Sequence, residues 1–193
     1  MARGLNVRVE MNSAARLFPY LGPHLRSLAR NAINRTVTWA EREAIAAVSK
    51  ELRLPVKFVR NRLTRDGAVK ERRTVIRRAT VASLNASLEV YMRGLPVYQV
   101  AGLEVRRKGG GVKAKGGRFY RGAFRPGAGR AAGTVLKRMG PSRTPLMMPK
   151  IGLREHLRKE FDRRIQGAEG QAYFRAEYAE QLRRGAARYG VKA

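Results

Sequence analysis

After Gly22, Pro23 stands where the first turn of a helix accepts proline. Apolar or small residues then recur at three- and four-residue steps: Leu25, Leu28, Ala29, Ala32, Ile33, Thr36, Val37, Ala40, Ala44, Ala47 and Val48. That spacing predicts one amphipathic helix running to about Glu51. At 1.5 Å per residue it spans roughly 40–45 Å, more than the width of a small domain. Such a helix must be covered along its length by a partner helix or by a neighbouring subunit. Leu25, Leu28, Ile33 and Val37 are the candidate subunit-interface positions on it.

Charge supplies the second constraint. The formal charge is +28, from 42 Lys or Arg against 14 Asp or Glu. Between Glu104 and Glu155 there is no acidic residue, while positions 105–154 hold 14 Lys or Arg. Much of the glycine is concentrated there, in RRKGGGVKAKGGRFYRGAFRPGAGR from Arg106 to Arg130. A segment without internal anions is solvated, disordered or held by an anionic partner, and a large net charge raises affinity for any polyanion. Three readings stay open: a solvated loop, phosphate contact by Lys and Arg with counterion release, or a protein interface in which Arg forks pair with carboxylates. The candidate contact residues for DNA or an acidic partner are Arg106, Arg107, Lys108, Lys113, Lys115, Arg118, Arg121 and Arg125, with Lys57, Arg60 and Arg62 as a second group. Phe119, Tyr120 and Phe124 could stack on bases, but alternating strand positions favour core or interface roles.

The length of 193 residues suits a single domain over 1–193. Its helical part is 23–65, where Pro55 opens a short basic helix with Val56, Val59 and Leu63 inward and Asp66-Gly67 closing it. A small, mostly antiparallel β region covers 72–140 and includes the basic loop 105–130. In it Thr74 to Arg78 alternates weakly, and Ala86, Leu88, Val90 and Met92 form one face of a better strand. Val97 to Val100 suggests a short strand or bridge, and Arg118–Phe124 and Gly133–Arg138 a strand pair. C-terminal helices occupy 150–190: Leu153, Leu157, Phe161 and Ile165 fall at four-residue steps, and a final helix from about Gln171 carries Ala172, Ala176, Ala179, Leu182 and Ala186. The fold class expected is α+β.

Enzymatic chemistry finds little support. There is no cysteine, and the two histidines, His24 and His156, have no partner at metal-ligand spacing. The acids Glu155, Glu160 and Asp162 sit among basic residues on a helix face. Gly111 to Arg118 has glycines and lysines but lacks the closing Gly-Lys-Ser/Thr of a phosphate loop. No catalytic residue, metal or cofactor is expected. The N-terminal MARGLNVRVEMNSAARLF lacks the continuous apolar run of a signal peptide, and no run is long enough to span a membrane.

Several segments in order resemble the lambda-type minor tail protein Z family of tailed bacteriophages, grouped with tail-completion proteins. They are Asn31-Ala-Ile-Asn-Arg35, the basic LPVKFVRNRLTR of Leu54–Arg65, and ASLEVYMRGLPV of Ala86–Val97. Gly122-Ala123-Phe124, Thr134–Arg138 and Arg143-Thr-Pro-Leu146 complete the set, which covers roughly residues 25–165. The resemblance implies a structural virion protein at the head-proximal end, or neck, of a tail, assembled in the host cytoplasm. It would complete the tail, help head–tail joining and position the genome end. Its implied partners are further copies of itself in a six-fold ring, the tail terminator, tail tube or other neck proteins, and the end of the genome DNA, with no membrane. The alternative from a different class is a stand-alone, sequence-independent nucleic-acid-binding protein of ribosomal or nucleoid type. It rests on charge alone, since the motifs of known DNA and RNA modules are absent.

Overall fold

A computed structural model describes residues 9–10, 23–63, 68–90, 94–100, 104–106, 110–114, 118–129 and 132–188. Strand β1 (Val9–Glu10) precedes helix α1 (Pro23–Glu51) and a short helix α2 (Val56–Arg60). Strands β2 (Asn61–Leu63), β3 (Val69–Arg72), β4 (Thr74–Arg77), β5 (Ser87–Val90) and β6 (Leu95–Pro96) follow. Next come a 3-10 turn (Val97–Gln99) and strands β7 (Glu104–Arg106), β8 (Gly111–Lys113), β9 (Phe119–Arg121) and β10 (Ala123–Phe124). Strands β11 (Leu136–Arg138), β12 (Leu146–Met147) and β13 (Lys150–Ile151) lead into helices α3 (Arg154–Gln166) and α4 (Ala168–Arg188). The class is α+β, with every strand pair antiparallel.

The chain packs as two compact units drawn from interleaved stretches. Met1–Ala47, Thr74–Met92 and Glu155–Ala193 make the first, and Val48–Arg73 with Arg93–Arg154 make the second. Two of the crossings fall within helices α1 and α3, where no linker composition marks them.

In the first unit, α1 buries Ala29, Ala32, Ile33, Val37, Ala40, Ala44 and Ile45. This is the face that the three- and four-residue spacing predicts. Thr36, also buried, satisfies its hydroxyl by donating to Ala32 O at 2.9 Å. The sheet has the order β1-β5-β4. Ala86, Leu88 and Val90 are buried as their alternation predicts, while Met92 lies outside the described residues. The opposite face of β5 is buried too, at Ser87 and Glu89. Glu89 tolerates this because Arg77 Nε reaches its Oε1 at 2.6 Å.

Helix α3 turns Leu157, Phe161 and Ile165 inward. Helix α4 begins at Ala168, earlier than its apolar pattern suggests, and packs with another face. Gln181 and Gly185 are buried and Tyr173, Phe174 and Tyr178 half-buried, whereas Ala172, Ala176, Ala179 and Leu182 are exposed. Gly185 has a steric reason: a Cβ there would lie 3.1 Å from Leu28 Cδ1 and 3.4 Å from His24 Nε2. Tyr173 stacks on Trp39 of α1, with ring centroids 4.5 Å apart.

Asn34 ties α1 to the segment after β4. Its Nδ2 donates to Ala79 O at 3.2 Å, and Ala79 N donates back to its Oδ1 at 2.8 Å. The side-chain amide thus pairs with a backbone amide as a strand neighbour would. Removing it in Asn34→Ala orphans both backbone groups, at a cost of about 1–3 kcal/mol. A urea-unfolding free energy lowered by that amount is the expected measurement; an unchanged value would contradict the role.

In the second unit, the short basic helix departs from expectation. It ends at Arg60, Leu63 lies on strand β2, and Val56 is 42% exposed instead of inward. The cause is a competing partner for its backbone. Asn61 pairs with Arg72 across the β2–β3 ribbon, and Arg73 N donates to Arg60 O at 2.8 Å. Long-range strand pairing thereby overrides the local helical pattern. Asp66-Gly67, expected to close the helix, lies outside the described residues. Val97–Gln99 is likewise a 3-10 turn and not a strand, because Val97 N donates to Pro149 O at 3.0 Å and Val100 N back to Val97 O at 3.1 Å. The strand pair expected near residues 118–138 forms as β10 with β11, Ala123 opposite Lys137 and Phe124 opposite Leu136. Val59, Leu95, Val97, Val100, Val112, Val135, Ile151 and Leu153 are buried.

Candidate functional site

The division into units sorts the charge. The second unit holds 24 Lys or Arg against 4 Asp or Glu, and the first holds 18 against 10. Two stretches far apart in sequence, 48–73 and 93–154, therefore contribute to one strongly cationic body. In the first unit acids meet arginines: Arg35 with Glu177, Arg163 and Arg164 with Glu160, and Arg183 and Arg184 with Glu180. The Arg184 guanidinium holds the Glu180 carboxyl below its usual range, first through their hydrogen bond.

Most of the acid-free stretch lies in two small antiparallel sheets, the first of which also takes in Glu104 opposite Lys113, while Lys150 and Ile151 pair with β6. In the sheet of order β7-β8-β9, Arg106 is opposite Gly111 and Gly111 opposite Arg121, while Lys113 is opposite Phe119. Facing residues on neighbouring strands share one side of a sheet. Lys113, Phe119 and Arg121 therefore occupy one side by register, and Val112, fully buried, lies on the other with Tyr120. Gly111 is required by packing, since a Cβ would meet Phe119 ring carbons at 2.5 and 2.7 Å and Tyr120 O at 2.8 Å. The Phe119 ring thus lies over the glycine with 48% of the residue exposed. Burial pushes the Tyr120 hydroxyl above its usual range, and Arg118 opposes this.

In the sheet of order β10-β11-β12, Arg138 is opposite Leu146 and its guanidinium lies 5.7 Å from the Phe124 ring centre. Lys137, Arg138, Arg143 and Lys150 are exposed. These four were missed as candidates, although the same acid-free count covers them. Phe124 is committed to Arg138 and half-buried, in keeping with its strand position.

The sequence-derived contact set divides unevenly. Arg121 and Arg125 are exposed, and Lys113 and Arg118 are half-buried. Arg118 Nη1 donates to Leu52 O at 3.4 Å, so part of its donor capacity is used within the unit. Lys57 is exposed and Arg60 half-buried. Arg106 and Arg62 are placed on β7 and β2 by their backbone. Arg107, Lys108 and Lys115 lie outside the described residues. Of the helix positions expected at a subunit interface, Ile33 and Val37 are buried within the chain at 0% and 1% exposure, so they offer no surface to a neighbour. Their apolar spacing serves the chain's own core. Leu25 and Leu28 remain half-buried.

Among the described residues, no group of three or more His, Cys, Asp or Glu is placed to hold a metal ion. No described helix is long and apolar enough to cross a membrane. No curated protein and no solved structure matches the chain. The family model for prophage minor tail protein Z matches residues 24–188, from the start of α1 to the end of α4. The match thus takes in both units, the basic sheets and the α1–Asn34 tie, and the chain belongs to the prophage minor tail protein Z family, with a structural role in a phage tail.

Proposed function

We propose that the chain acts at the head-proximal end of the tail, where it completes the tail, supports head–tail joining and holds the end of the genome. The observation that carries this reading is the segregation of cations, 24 against 4 acids, into one unit of a tail protein. A body of that charge is stable next to an extended polyanion and is repelled by its own kind. Exposed Arg121, Arg125, Lys137 and Arg138 are the phosphate-contacting groups, with Lys57 and Arg60 beside the β2–β3 ribbon as a second patch. Copies assemble as a closed ring, which demands two different surfaces per subunit meeting head to tail. Leu25 and Leu28 belong to one of them. The neighbours are the tail tube, the tail terminator and other neck proteins.

Duplex DNA affinity measured against salt tests the polyanion contact. The logarithm of the binding constant should fall linearly with log salt, with each neutralised phosphate contributing about −0.9 to the slope. Replacing Arg121, Arg125, Lys137 and Arg138 by Ser should flatten the slope by about 3.6. A flat plot for the unaltered protein would remove DNA as the partner. For the assembly role, purified protein added to incomplete tails should co-sediment with them as a multimer; a monomer that never joins tails would overturn it.

A further inference from the structure

A second cluster of cations lies in the first unit, away from the acid-free stretch. A cleft with a volume of about 290 Å³ is lined by Asn34, Arg35, Thr38, Trp39, Arg42, Arg78 and Tyr173. Asn34, Thr38 and Arg42 recur at four-residue steps along α1, so they share one helix face and form one wall. The stacked rings of Trp39 and Tyr173 add a flat apolar surface. Arg164, 5.9 Å from the Trp39 ring centre, is held by Glu160 and Glu169 at 3.6 and 3.4 Å.

The cations here differ in how far they are already used. Arg35 Nη1 donates to Glu177 Oε1 at 2.7 Å, and the same oxygen accepts from Gln181 Nε2 at 2.7 Å. Arg42 has one contact of 3.4 Å with its sequence neighbour Glu43. Arg78 is exposed and has no ion-pair partner among the described residues. Two guanidinium forks therefore face a concave site beside an aromatic wall with donors to spare. All three cations are Arg and none is Lys. An Arg fork alone suits phosphate and carboxylate alike. Trp, Tyr and Arg together are instead the residues that concentrate binding energy at protein interfaces, and the Arg fork matches a carboxylate bidentately.

We infer that this cleft docks an acidic protein segment, with carboxylates forked by Arg42 and Arg78 and an apolar side chain laid on the Trp39–Tyr173 stack. It stands on the cleft alone and does not depend on where in the tail the protein sits. Trp39 is the chain's only tryptophan, so its fluorescence reports on the site directly. A short synthetic peptide of alternating Glu and Leu, titrated into the full chain, should shift Trp39 emission saturably. Arg78→Ser should weaken that binding by about tenfold, as expected for loss of a charged hydrogen-bonding pair. Arg78→Lys, which keeps charge and loses the fork, should weaken it nearly as much. Arg78 is exposed, with no ion-pair partner among the described residues, so both variants should retain the fold by circular dichroism. Unchanged emission, or Arg78→Ser binding with unchanged affinity, would overturn the inference. So would an oligothymidylate of equal charge that binds more tightly in an Arg78-dependent way, which would give the cleft to nucleic acid. An emission shift produced by raising protein concentration without peptide would give it to a second copy and overturn it equally.

Discussion

A Phe161→Ala chain is expected to lose about 3–5 kcal/mol of folding stability, the range for deleting a buried aromatic ring. Among the described residues Phe161 is the largest of the fully buried side chains, on the inward face of α3 between Leu157 and Ile165. The surrounding core relaxes only partly into the space that a deleted ring leaves. The lost transfer energy therefore adds to the energy of an unfilled cavity. Typical domains are stable by only 5–15 kcal/mol, so the variant should unfold at markedly lower urea concentration. Leu182→Ala on α4 is the paired control. Leu182 is 37% exposed, so truncating that side chain should cost less than about 1 kcal/mol. Equal midpoint shifts for the two variants would mean that the inward faces of α3 and α4 are wrongly assigned.

That contrast also marks where sequence periodicity stops being informative. Both C-terminal helices carry apolar residues at helical spacing. In α3 the large residues Leu157, Phe161 and Ile165 form one stripe, and only one face can be buried. In α4 two stripes compete, one of Ala172, Ala176, Ala179 and Leu182, the other of Tyr173, Phe174 and Tyr178. The wider aromatic face is covered, and the Trp39–Tyr173 stack and the Gly185 contact with Leu28 fix the choice. Neither contact has a local signature, since its partners stand far apart in the chain. The same reason hides the end of α2. Nothing in Asn61–Leu63 itself announces that Arg72 and Arg73 will claim its backbone.

The charge was legible as a count and illegible as a place. The acid-free stretch identifies half of the cationic unit, but only the fold adds 48–73 to it. The cleft in the first unit left no trace in sequence. Arg42, Arg78 and Tyr173 are ordinary surface types, and only the packing of α4 against α1 brings them to one concavity. Asn34 is a middle case. It falls in the Asn31–Arg35 segment that carries the family resemblance, and the structure supplies its physical duty as the partner of Ala79.

An Arg73→Leu chain is expected to lose about 2–3 kcal/mol, the second-largest effect and one confined to the second unit. Arg73 is only 3% exposed, and its Nε donates to Phe58 O at 3.3 Å and Asn61 O at 3.2 Å. Those carbonyls belong to the end of α2 and the start of β2, where a helix leaves acceptors unsatisfied and a cation is favoured. Leucine fills much of the volume but donates nothing, so two carbonyls lose their donor. Relief from burying a guanidinium offsets part of the loss, which is why the figure stays below the sum of the bonds. Arg73→Lys should recover part of it, because an ammonium donates but cannot reproduce the fork geometry. A position needed only for packing would rank Leu above Lys, so the order of the two unfolding midpoints decides between these roles. Amide exchange localises the effect: protection in the β2–β3 ribbon should fall first in Arg73→Leu, where Arg72 pairs with Asn61. If Leu at this position left ribbon protection and midpoint unchanged, the buried guanidinium would have no part in ending α2, and the short helix would need another cause.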